Sequence, residues 1–432
     1  MARNTREDFL KCRRLSRIYY KQKYFYYPLR LSNALFGLGL WNSTLIFLSY
    51  LCAKCFPEYP ENTFEQWVSN RFGKRLYQTF FKTYTEKVWG IPCKEISADW
   101  AAQRIKDLSL FTVLKNIFFR QNSTNKDRIV KTLIDEFYYP KLGPGMIWEK
   151  IANLLQRRDC DVYLNTKVVK VLWSDNKIDK IVVKSEETKE KIIEGMHFIS
   201  SMPVHTLIKC FSPPVPDSVL QATEQLKYRD FLTVAVIIDQ KDVFPDNWIY
   251  IHESNVKVGR IQNYKNWSPY MVPNENETCL GLEYFCSVGD TLWDMSEQEL
   301  IQLGIRELIE LKLIGSGGIV KDATVLKARK AYPVYDATYK NALQTIRTFL
   351  SSIHNLQTVG RNGMHKYNNQ DHSMLTGILA AKNFLGDSHD LWEVNADQEY
   401  HEHLTNSRST FEKEIALLSS SQPQVPLRLE RH

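Results

Sequence analysis

The sequence lacks the short patterns that mark several common classes of protein. Its eight cysteines contain a single C-x-x-C pair, Cys52 and Cys55. A zinc ribbon needs a second pair at similar spacing, so no metal site is predicted, and two packed thiols are expected instead. The N-terminus, MARNTREDFLKCRR, is charged from its third residue and has no apolar signal-peptide core. A reducing, cytoplasmic setting without a disulfide framework therefore fits the sequence best.

Strong charge asymmetry is also absent. The chain has 56 Lys and Arg against 49 Asp and Glu, a formal charge of +7 over 432 residues. No dense stripe of basic residues with interleaved aromatic residues occurs, so nucleic acid is not an expected partner. The mild positive charge is compatible with acidic small molecules such as diphosphates. No Ser-His-Asp or paired-carboxylate motif points to hydrolysis.

One segment has no charged residue at all. It lies between Arg30 and Lys54, and its part LFGLGLWNSTLIFLSYLCA is nearly long enough to cross a bilayer. Its Asn, Ser and Thr residues, and the glycines at 37 and 39, favour a pair of short buried or interfacial helices. A true membrane span is the alternative, and interfacial helices would give peripheral contact with a membrane through residues 31–53.

The residues that are present, 44% hydrophobic and 12% aromatic, suit two or three globular domains. The first part of the chain is helical: Thr63 and Gln66 form a capping-box pattern, and Gly90 ends a later helix. Residues 145–155 predict an amphipathic helix. From Asp161 onward β-strand patterns dominate, with Asp175-Asn176 as a hairpin turn and an antiparallel sheet beyond it. The chain is therefore predicted to be mixed α/β.

The segment TVGRNGMHKYNNQDHSMLTGILAAKNFLG, residues 358–386, predicts a strand, a polar turn and a helix. The strand runs from Leu356 to Val359 and ends at Gly360, and the helix over 371–384 takes Asp371 as its N-cap. The free N–H groups and positive dipole at such a helix start suit an anionic or electron-rich ligand. An ordinary strand–turn–helix unit without a ligand is the alternative.

Four separate motifs, in order along the chain, carry a resemblance to a known family. They are YTEKVWGIP at 84–92, YYPKLGPGM at 138–146, VGRIQNYKNW at 258–267 and GRNGMHKYNNQD at 360–371. Together they resemble the FAD-dependent UDP-galactopyranose mutases and, more widely, the protoporphyrinogen oxidases and amine oxidases. The resemblance covers roughly residues 30–395.

The resemblance implies an FAD-binding Rossmann-like domain assembled from separated segments, a helical substrate-covering domain and an antiparallel sheet domain. FAD would be the cofactor, and a nucleotide sugar or related small molecule the substrate. The implied domain boundaries are 1–30 for a lead-in, 31–130 for the helical domain, 131–209 for an FAD-domain segment, 210–330 for the sheet domain, 331–395 for the closing FAD-domain strand and helix, and 396–432 for a tail.

Position in the motifs also implies roles for single residues. Substrate binding falls on Trp89, Arg260, Tyr332 and Tyr367, and the catalytic candidates are Arg260, Tyr332 and His365. A guanidinium fork such as that of Arg260 is well suited to a substrate diphosphate. Arg260 as a surface ion pair, and Tyr332 and Trp89 as core residues, remain open. Cofactor binding falls on Val168, Gly360, Arg361, Asp371, His372 and Ser373.

The sequence departs from the mutase pattern at two positions. His365 stands where the mutases carry a tyrosine, and Leu108 falls where they carry a second diphosphate-binding arginine. Loss of one phosphate clamp would weaken a nucleotide-sugar complex by on the order of 1.5–3 kcal/mol. A different flavin chemistry is therefore an open alternative.

The phosphate-binding start of such a flavin fold, a strand followed by G-x-G-x-x-G and a helix, is absent from the sequence. GLGLW at 37–41 lacks the third glycine, and GSGG at 315–318 follows a helix. We therefore expect a truncated form that begins after the first βαβ unit and binds FAD weakly or not at all. The second hypothesis is an inactive remnant that acts as a binding or membrane-associated partner.

Overall fold

The computed structural model describes residues 8–27, 33, 37–104, 136–186, 189–315, 317 and 319–395. The tail at 396–432 and Leu108 lie outside these ranges. The strands are β1 Phe9–Arg13, β2 Ser16–Tyr20, β3 Lys23–Tyr26, β4 Glu136–Pro140, β5 Thr166–Ser174, β6 Lys177–Ser185, β7 Lys191–Glu194, β8 Phe198–Ser200, β9 Phe211–Ser212, β10 Tyr228–Ile238, β11 Trp248–Ile251, β12 Arg260–Asn263, β13 Thr278–Cys286, β14 Val320–Pro333 and β15 Leu356–Thr358.

The helices follow the mixed order that the sequence predicts. They are α1 Leu40–Cys55, α2 Phe64–Phe72, α3 Lys74–Leu76, α4 Thr83–Trp89, α5 Ala98–Arg104, α6 Gly145–Gln156, α7 Val204–Cys210, α8 Asp217–Gln225, α9 Tyr264–Trp267, α10 Thr291–Asp294, α11 Glu297–Glu310, α12 Tyr339–Ser351, α13 Gly360–Gly363 and α14 Gln370–Phe384. A π-helical stretch, Tyr77–Lys82, joins α3 to α4, and 3-10 turns lie at Pro269–Met271 and Leu391–Glu393.

The largest sheet has seven strands in the order β14-β10-β13-β12-β11-β2-β3. Its central strand pairs are antiparallel, as predicted. The alternating residues Leu232, Val234 and Val236 of β10 are fully buried and pack into one core with α11. The lead-in contributes β2 and β3 to the far edge, where β2 runs parallel to β11. These two early strands thus belong to a sheet whose other strands all follow residue 227.

The helical lobe, α1 to α5, shows the predicted capping and helix ends. Thr63 Oγ1 accepts a hydrogen bond from the Gln66 N–H at 3.3 Å, which begins α2, and Gly90 ends α4 in the left-handed region with φ 67°. Gly73 also has a positive φ of 83°, and a Cβ there would lie 2.7 Å from the Tyr50 backbone nitrogen. A glycine at 73 therefore allows α1 to pack closely against α3.

The described part of the uncharged segment contains α1, a helix of 16 residues that begins after Gly39; Gly37 and Leu38, before that glycine, are also helical, so the chain breaks at the predicted place. It buries one side only, through Ser43, Ile46 and Tyr50. The prediction that Cys52 and Cys55 are packed is wrong: both are exposed, because they lie on the side of α1 that faces away from the lobe. No helix in the described ranges combines the length and apolar character needed to cross a bilayer.

A second core lies among two small sheets and the helices α7, α8 and α12. The four-stranded sheet has the order β7-β6-β5-β9, and its β5–β6 hairpin turns at Asp175 and Asn176, both with positive φ, as predicted. Among the described residues the other sheet consists of β8 and β15, which run parallel with Phe198 opposite Leu356. This short parallel pair leads directly into the loop and helix that close the candidate site.

Candidate functional site

The site centres on Tyr332, at the end of β14, and Tyr367, in the loop after α13. Their rings stack with centroids 5.7 Å apart. The guanidinium carbon of Arg361 lies 5.1 Å from the Tyr332 ring centre and 4.7 Å from that of Tyr367. Arg361 also donates to the Asn368 carbonyl at 2.8 Å, so its charge is held against two aromatic rings by the loop backbone.

Trp89 reaches the same cluster from the end of α4. Its ring centroid lies 6.5 Å from Tyr332 and 6.2 Å from Tyr367, and the side chain is buried. Its indole Nε1 has no hydrogen-bond partner among the described residues. Three predicted site residues from distant parts of the sequence are therefore in contact range, and Trp89 is at once a core residue and a lining residue.

Arg229 fixes the end of α4 against the large sheet. Its Nε donates to the Val88 carbonyl at 3.1 Å, and its two Nη atoms donate to Ser287 Oγ at 2.7 Å and the Phe285 carbonyl at 2.8 Å. A Cβ on Gly90 would lie 2.6 Å from the Arg229 guanidinium carbon. Gly90 thus both ends the helix and leaves room for the arginine that positions Trp89.

Arg260 forms an ion pair with Glu283, which lies directly opposite it on β13. Glu283 also accepts a hydrogen bond from Gln262 at 3.1 Å, and its side chain is only 8% exposed. Burial opposes the charge on Arg260, but Glu283 outweighs that effect and raises the pKa of the guanidinium well above its ordinary value. Arg260 is therefore a partly buried, charged group that already has a carboxylate partner.

Tyr332 lies within electrostatic range of both arginines. Burial is the largest influence and raises the pKa of Tyr332 to about 12, and Tyr367 raises it further, while Arg260 and Arg361 act in the opposite sense. The phenol is protonated at neutral pH and can donate a hydrogen bond. The cluster therefore presents an aromatic surface with a neutral donor that lies within electrostatic range of two guanidinium groups.

The loop that carries Arg361 packs tightly on the end of β8. Gly360 has φ 77°, and its N–H donates to Thr376 Oγ1 of α14 at 3.0 Å. A Cβ on Gly363 would lie only 2.7 Å from the Ser200 carbonyl oxygen. At this junction Ser200 Oγ and Asn362 Oδ1 are buried and have no hydrogen-bond partner within the described ranges.

The start of α14 differs from the sequence prediction. Asp371 is not the N-cap: the helix begins at Gln370 with Asn369 as its cap. The Asn369 N–H donates to His372 Nδ1 at 3.2 Å, and Ser373 Oγ donates to the Asn369 carbonyl at 2.9 Å. These two contacts fix the start of the helix at Asn369, two residues before Asp371. The Asp371 carboxylate is half exposed in the first turn.

The structure does not bring every predicted residue to the cluster. His365 is fully buried against Tyr228, with ring centroids 4.8 Å apart, and burial lowers the pKa of His365 to about 4. It lies one layer behind the site, next to Tyr335, whose hydroxyl accepts from the Tyr367 N–H. Val168 lies on β5 of the four-stranded sheet and packs, partly buried, against the second core.

Two residues of this region were missed from the sequence, Arg229 and Glu283. Each is a charged residue in or beside an otherwise apolar strand, YRDFLTVAVII and TCLGLEYFC. A charge in a buried strand needs a partner, which is the signal that could have singled them out.

The same architecture is found in solved flavoenzyme structures. The chain superposes on reduced UDP-galactopyranose mutase with a TM-score of 0.75 and 19% identity, covering 90% of this chain and 82% of that chain. For a putative protoporphyrinogen oxidase from Exiguobacterium sp. 255-15 the TM-score is 0.61 at 13% identity, with coverages of 88% and 83%. Putrescine oxidase bound to putrescine gives 0.53 at 13%, with coverages of 87% and 83%. At these identities the likeness shows a shared fold.

The fold is thus a mixed α/β architecture that is shared with these flavoenzymes. The family model for flavin containing amine oxidoreductases matches residues 59–339, which is more than half of the chain. The protein belongs to this family, and the resemblance inferred from the four motifs is confirmed.

Proposed function

We propose that this chain forms the flavin-closing and substrate-facing part of an FAD-dependent oxidoreductase or mutase that acts on a nucleotide sugar or a related small molecule. The convergence of Trp89, Tyr332 and Tyr367 around Arg361, beside the start of α14, carries the proposal. These side chains come from the helical lobe, the large sheet and the segment at 360–369, called the closing loop below. Their contact therefore depends on the fold of the whole chain.

On the substrate side, Arg260 is the candidate for binding a diphosphate. A planar guanidinium donates two parallel hydrogen bonds to a phosphate, but here Glu283 occupies it. A diphosphate would have to displace that carboxylate, whereas the protonated phenol of Tyr332 can donate to the rest of the ligand and the rings of Tyr332 and Tyr367 offer aromatic surface. UDP-galactopyranose, named by the structurally similar mutase, is the first substrate to test.

On the flavin side, the residues that would hold the ring are Gly360, Arg361, His372 and Ser373, with Asp371 at the rim. FAD, when bound, supplies the electron chemistry, and the chain contributes orientation and the dipole of α14. The unpartnered Ser200 Oγ and Asn362 Oδ1 fit a junction that a polar ligand or further backbone covers. The described residues thus suit the flavin end of the cofactor.

We propose that the pyrophosphate cradle is supplied from outside these 432 residues. Parallel sheets are normally covered on both faces, yet β8 pairs only with β15 in the described ranges, and Ile199 of β8 is 45% exposed. The predicted amphipathic helix α6 forms, but it has no buried residue. Met374 and Ile378 of α14 are exposed as well. These surfaces suit a strand–helix unit that carries G-x-G-x-x-G.

The test compares this chain with one extended by the in-frame coding sequence upstream, each purified with excess FAD and then passed through gel filtration. We expect the extended chain to retain stoichiometric flavin and the present chain to lose it. Stoichiometric flavin on the present chain would contradict the external cradle. An extended chain without flavin would contradict FAD dependence and favour the inactive remnant.

The substrate is tested on the extended chain with the flavin reduced, by following conversion of UDP-galactopyranose to its furanose isomer. Arg260→Ala should abolish conversion while flavin content stays unchanged, because Arg260 lies on the sheet and not in the closing loop. Arg329→Ala, an exposed arginine on β14, is the control. Conversion by Arg260→Ala at the unaltered rate would contradict the role of Arg260.

A further inference from the structure

The outer face of α1 is apolar and uncovered in the described part of the chain. Trp41, Leu48 and Leu51 lie on one side of the helix at i, i+7 and i+10, and they are 76%, 54% and 43% exposed. Phe47 flanks them, and Phe56 follows the end of the helix; both are exposed. This set of five is called the α1 face below. Soluble surfaces rarely present so many large apolar side chains together.

Three cations lie beside the α1 face. Lys54 is on α1 itself, three residues after Leu51 and therefore beside it on the helix surface. Lys74 and Arg75 form the start of α3, where the Arg75 N–H donates to Ser49 Oγ of α1. All three side chains are exposed, and none forms an ion pair with a carboxylate of the described residues. Lys54 contacts the Tyr50 ring instead.

Acidic residues do not cancel this charge. α1 contains no Asp or Glu. Glu61, in the loop that follows, is engaged by Arg71 at 2.8 Å and by Asn70, which leaves the exposed Glu58 as the nearby carboxylate without such partners. The rim of the α1 face is therefore net positive.

We propose that the α1 face and the cations Lys54, Lys74 and Arg75 form a docking surface for an anionic membrane. The helix would lie in the plane of the interface, with Trp41, Leu48 and Leu51 among the acyl chains and the cations among the headgroups. Lysine can extend its charged end past an apolar neighbour to reach headgroups. Each Lys or Arg near an anionic surface contributes about 1 kcal/mol, so charge and apolar contact act together.

A second copy of the chain is the competing occupant. An interface between copies would bring the three cations of each chain close to those of the other unless they lay far apart across the dimer axis. It would also have to bury Lys54 together with its neighbour Leu51. An anionic bilayer avoids both the repulsion between cations and the burial of Lys54, since the cations stay hydrated at the headgroups. Charge complementarity therefore favours the membrane.

The test is co-sedimentation of the full chain with sucrose-loaded vesicles of phosphatidylcholine alone or with about one third phosphatidylserine. We expect binding to the anionic vesicles only. L48E/L51E should abolish it, and K74E/R75E should weaken it at least about tenfold. Leu326→Glu, an equally exposed leucine on β14, should leave it unchanged. Circular dichroism checks that each variant is folded.

Several outcomes would overturn the proposal. Equal binding to neutral vesicles would contradict the role of the cations. Failure to sediment with anionic vesicles would contradict the membrane as the partner. A dimer in light scattering that L48E/L51E dissociates, without vesicle binding, would assign the α1 face to a second copy. None of these results depends on flavin content or turnover, so the proposal stands or falls separately from the proposed function.

Discussion

Arg260 on β12 is paired with Glu283 on β13, and the two residues lie in direct register across the sheet. The pair places a positive and a negative group at the same point in the candidate site. An anionic substrate must therefore compete with the protein's own carboxylate for the guanidinium, and the charge of Glu283 opposes its approach.

Glu283→Gln is expected to tighten binding of UDP at least about tenfold, because it removes the competing charge and frees the guanidinium of Arg260. Isothermal titration of UDP at neutral pH measures the effect. Glu277→Gln is the matched control: Glu277 is equally buried and paired with Lys321, but it precedes β13 at the opposite end of the strand from the aromatic cluster. Weaker UDP binding by Glu283→Gln would show that Glu283 itself contacts the ligand.

Two glycines near the site should respond oppositely to a methyl group. Gly363→Ala would place its Cβ 2.7 Å from the Ser200 carbonyl, so the loop must move off β8 and the protein is destabilised by roughly 1–3 kcal/mol. Gly377→Ala, in the middle of α14, meets nothing within 4 Å and should stabilise the chain by about 0.5–1 kcal/mol. Urea unfolding of both variants distinguishes these effects.

Gly377→Ala also tests whether the pyrophosphate cradle is supplied from outside these 432 residues. If a strand–helix unit covers α14, Gly377→Ala should stabilise the present chain but lose that gain, or reverse it, in the extended chain. An equal gain in both chains would mean that the surface around Met374 and Ile378 is never covered.

Lys87 predicts a pH dependence of stability. Its ammonium donates to the carbonyls of Glu253 at 2.8 Å and Val258 at 3.0 Å, and burial lowers the pKa of Lys87 to about 8. Between about pH 8 and the ordinary lysine value of 10.5, the unfolded chain binds this proton and the folded chain does not. The free energy of unfolding should therefore rise with pH across that window, and the penalty is fully present below pH 8.

Urea unfolding between pH 7 and pH 10 of the wild type and of Lys87→Met measures this contribution. The free energy of unfolding of the variant should rise less with pH. Part of the rise remains, because burial also lowers the pKa of Lys366 to about 8. Lys94→Met, at an exposed lysine after α4, should leave the slope unaltered. A rise in Lys87→Met as steep as in the wild type would contradict the assignment.

Lys366 ties the end of the described chain to the closing loop. It donates to the Trp392 carbonyl at 2.6 Å and the Val394 carbonyl at 2.7 Å. Lys366→Met should release residues 391–395 and increase hydrogen exchange there and at Tyr367, because both ends of the contact are loosened. Lys382→Met, on α14, is the control. Unchanged protection at residues 391–395 would show that Asn395 and Leu391 hold this segment without the lysine.

Local sequence patterns predicted much of the secondary structure correctly. The Thr63–Gln66 capping box, the helix end at Gly90 and the Asp175-Asn176 turn all formed, because each depends on contacts within a few residues. The sequence predicted Asp371 as the cap of α14, whereas the structure has Asn369. Several neighbouring polar residues can cap a helix, and the contact with His372 selects Asn369.

Features that depend on distant segments could not be predicted in this way. Pairing of β2 with β11 joins residues more than two hundred positions apart, and no local pattern specifies it. The exposure of Cys52 and Cys55, and the carboxylate partner of Arg260, likewise follow from which neighbours pack nearby. The motif resemblance gave the family, but it did not reveal Glu283.

The sequence by itself determined the mixed order of helices and strands, the capping box at Thr63, the turn at Asp175-Asn176 and the family, because these depend on short-range spacing and on motifs. Tertiary structure alone decided that Trp89, Tyr332, Tyr367 and Arg361 share one cluster while His365 stays behind it. Contacts between segments hundreds of residues apart are set by the packing of whole elements, and that packing is a cooperative property of the folded chain.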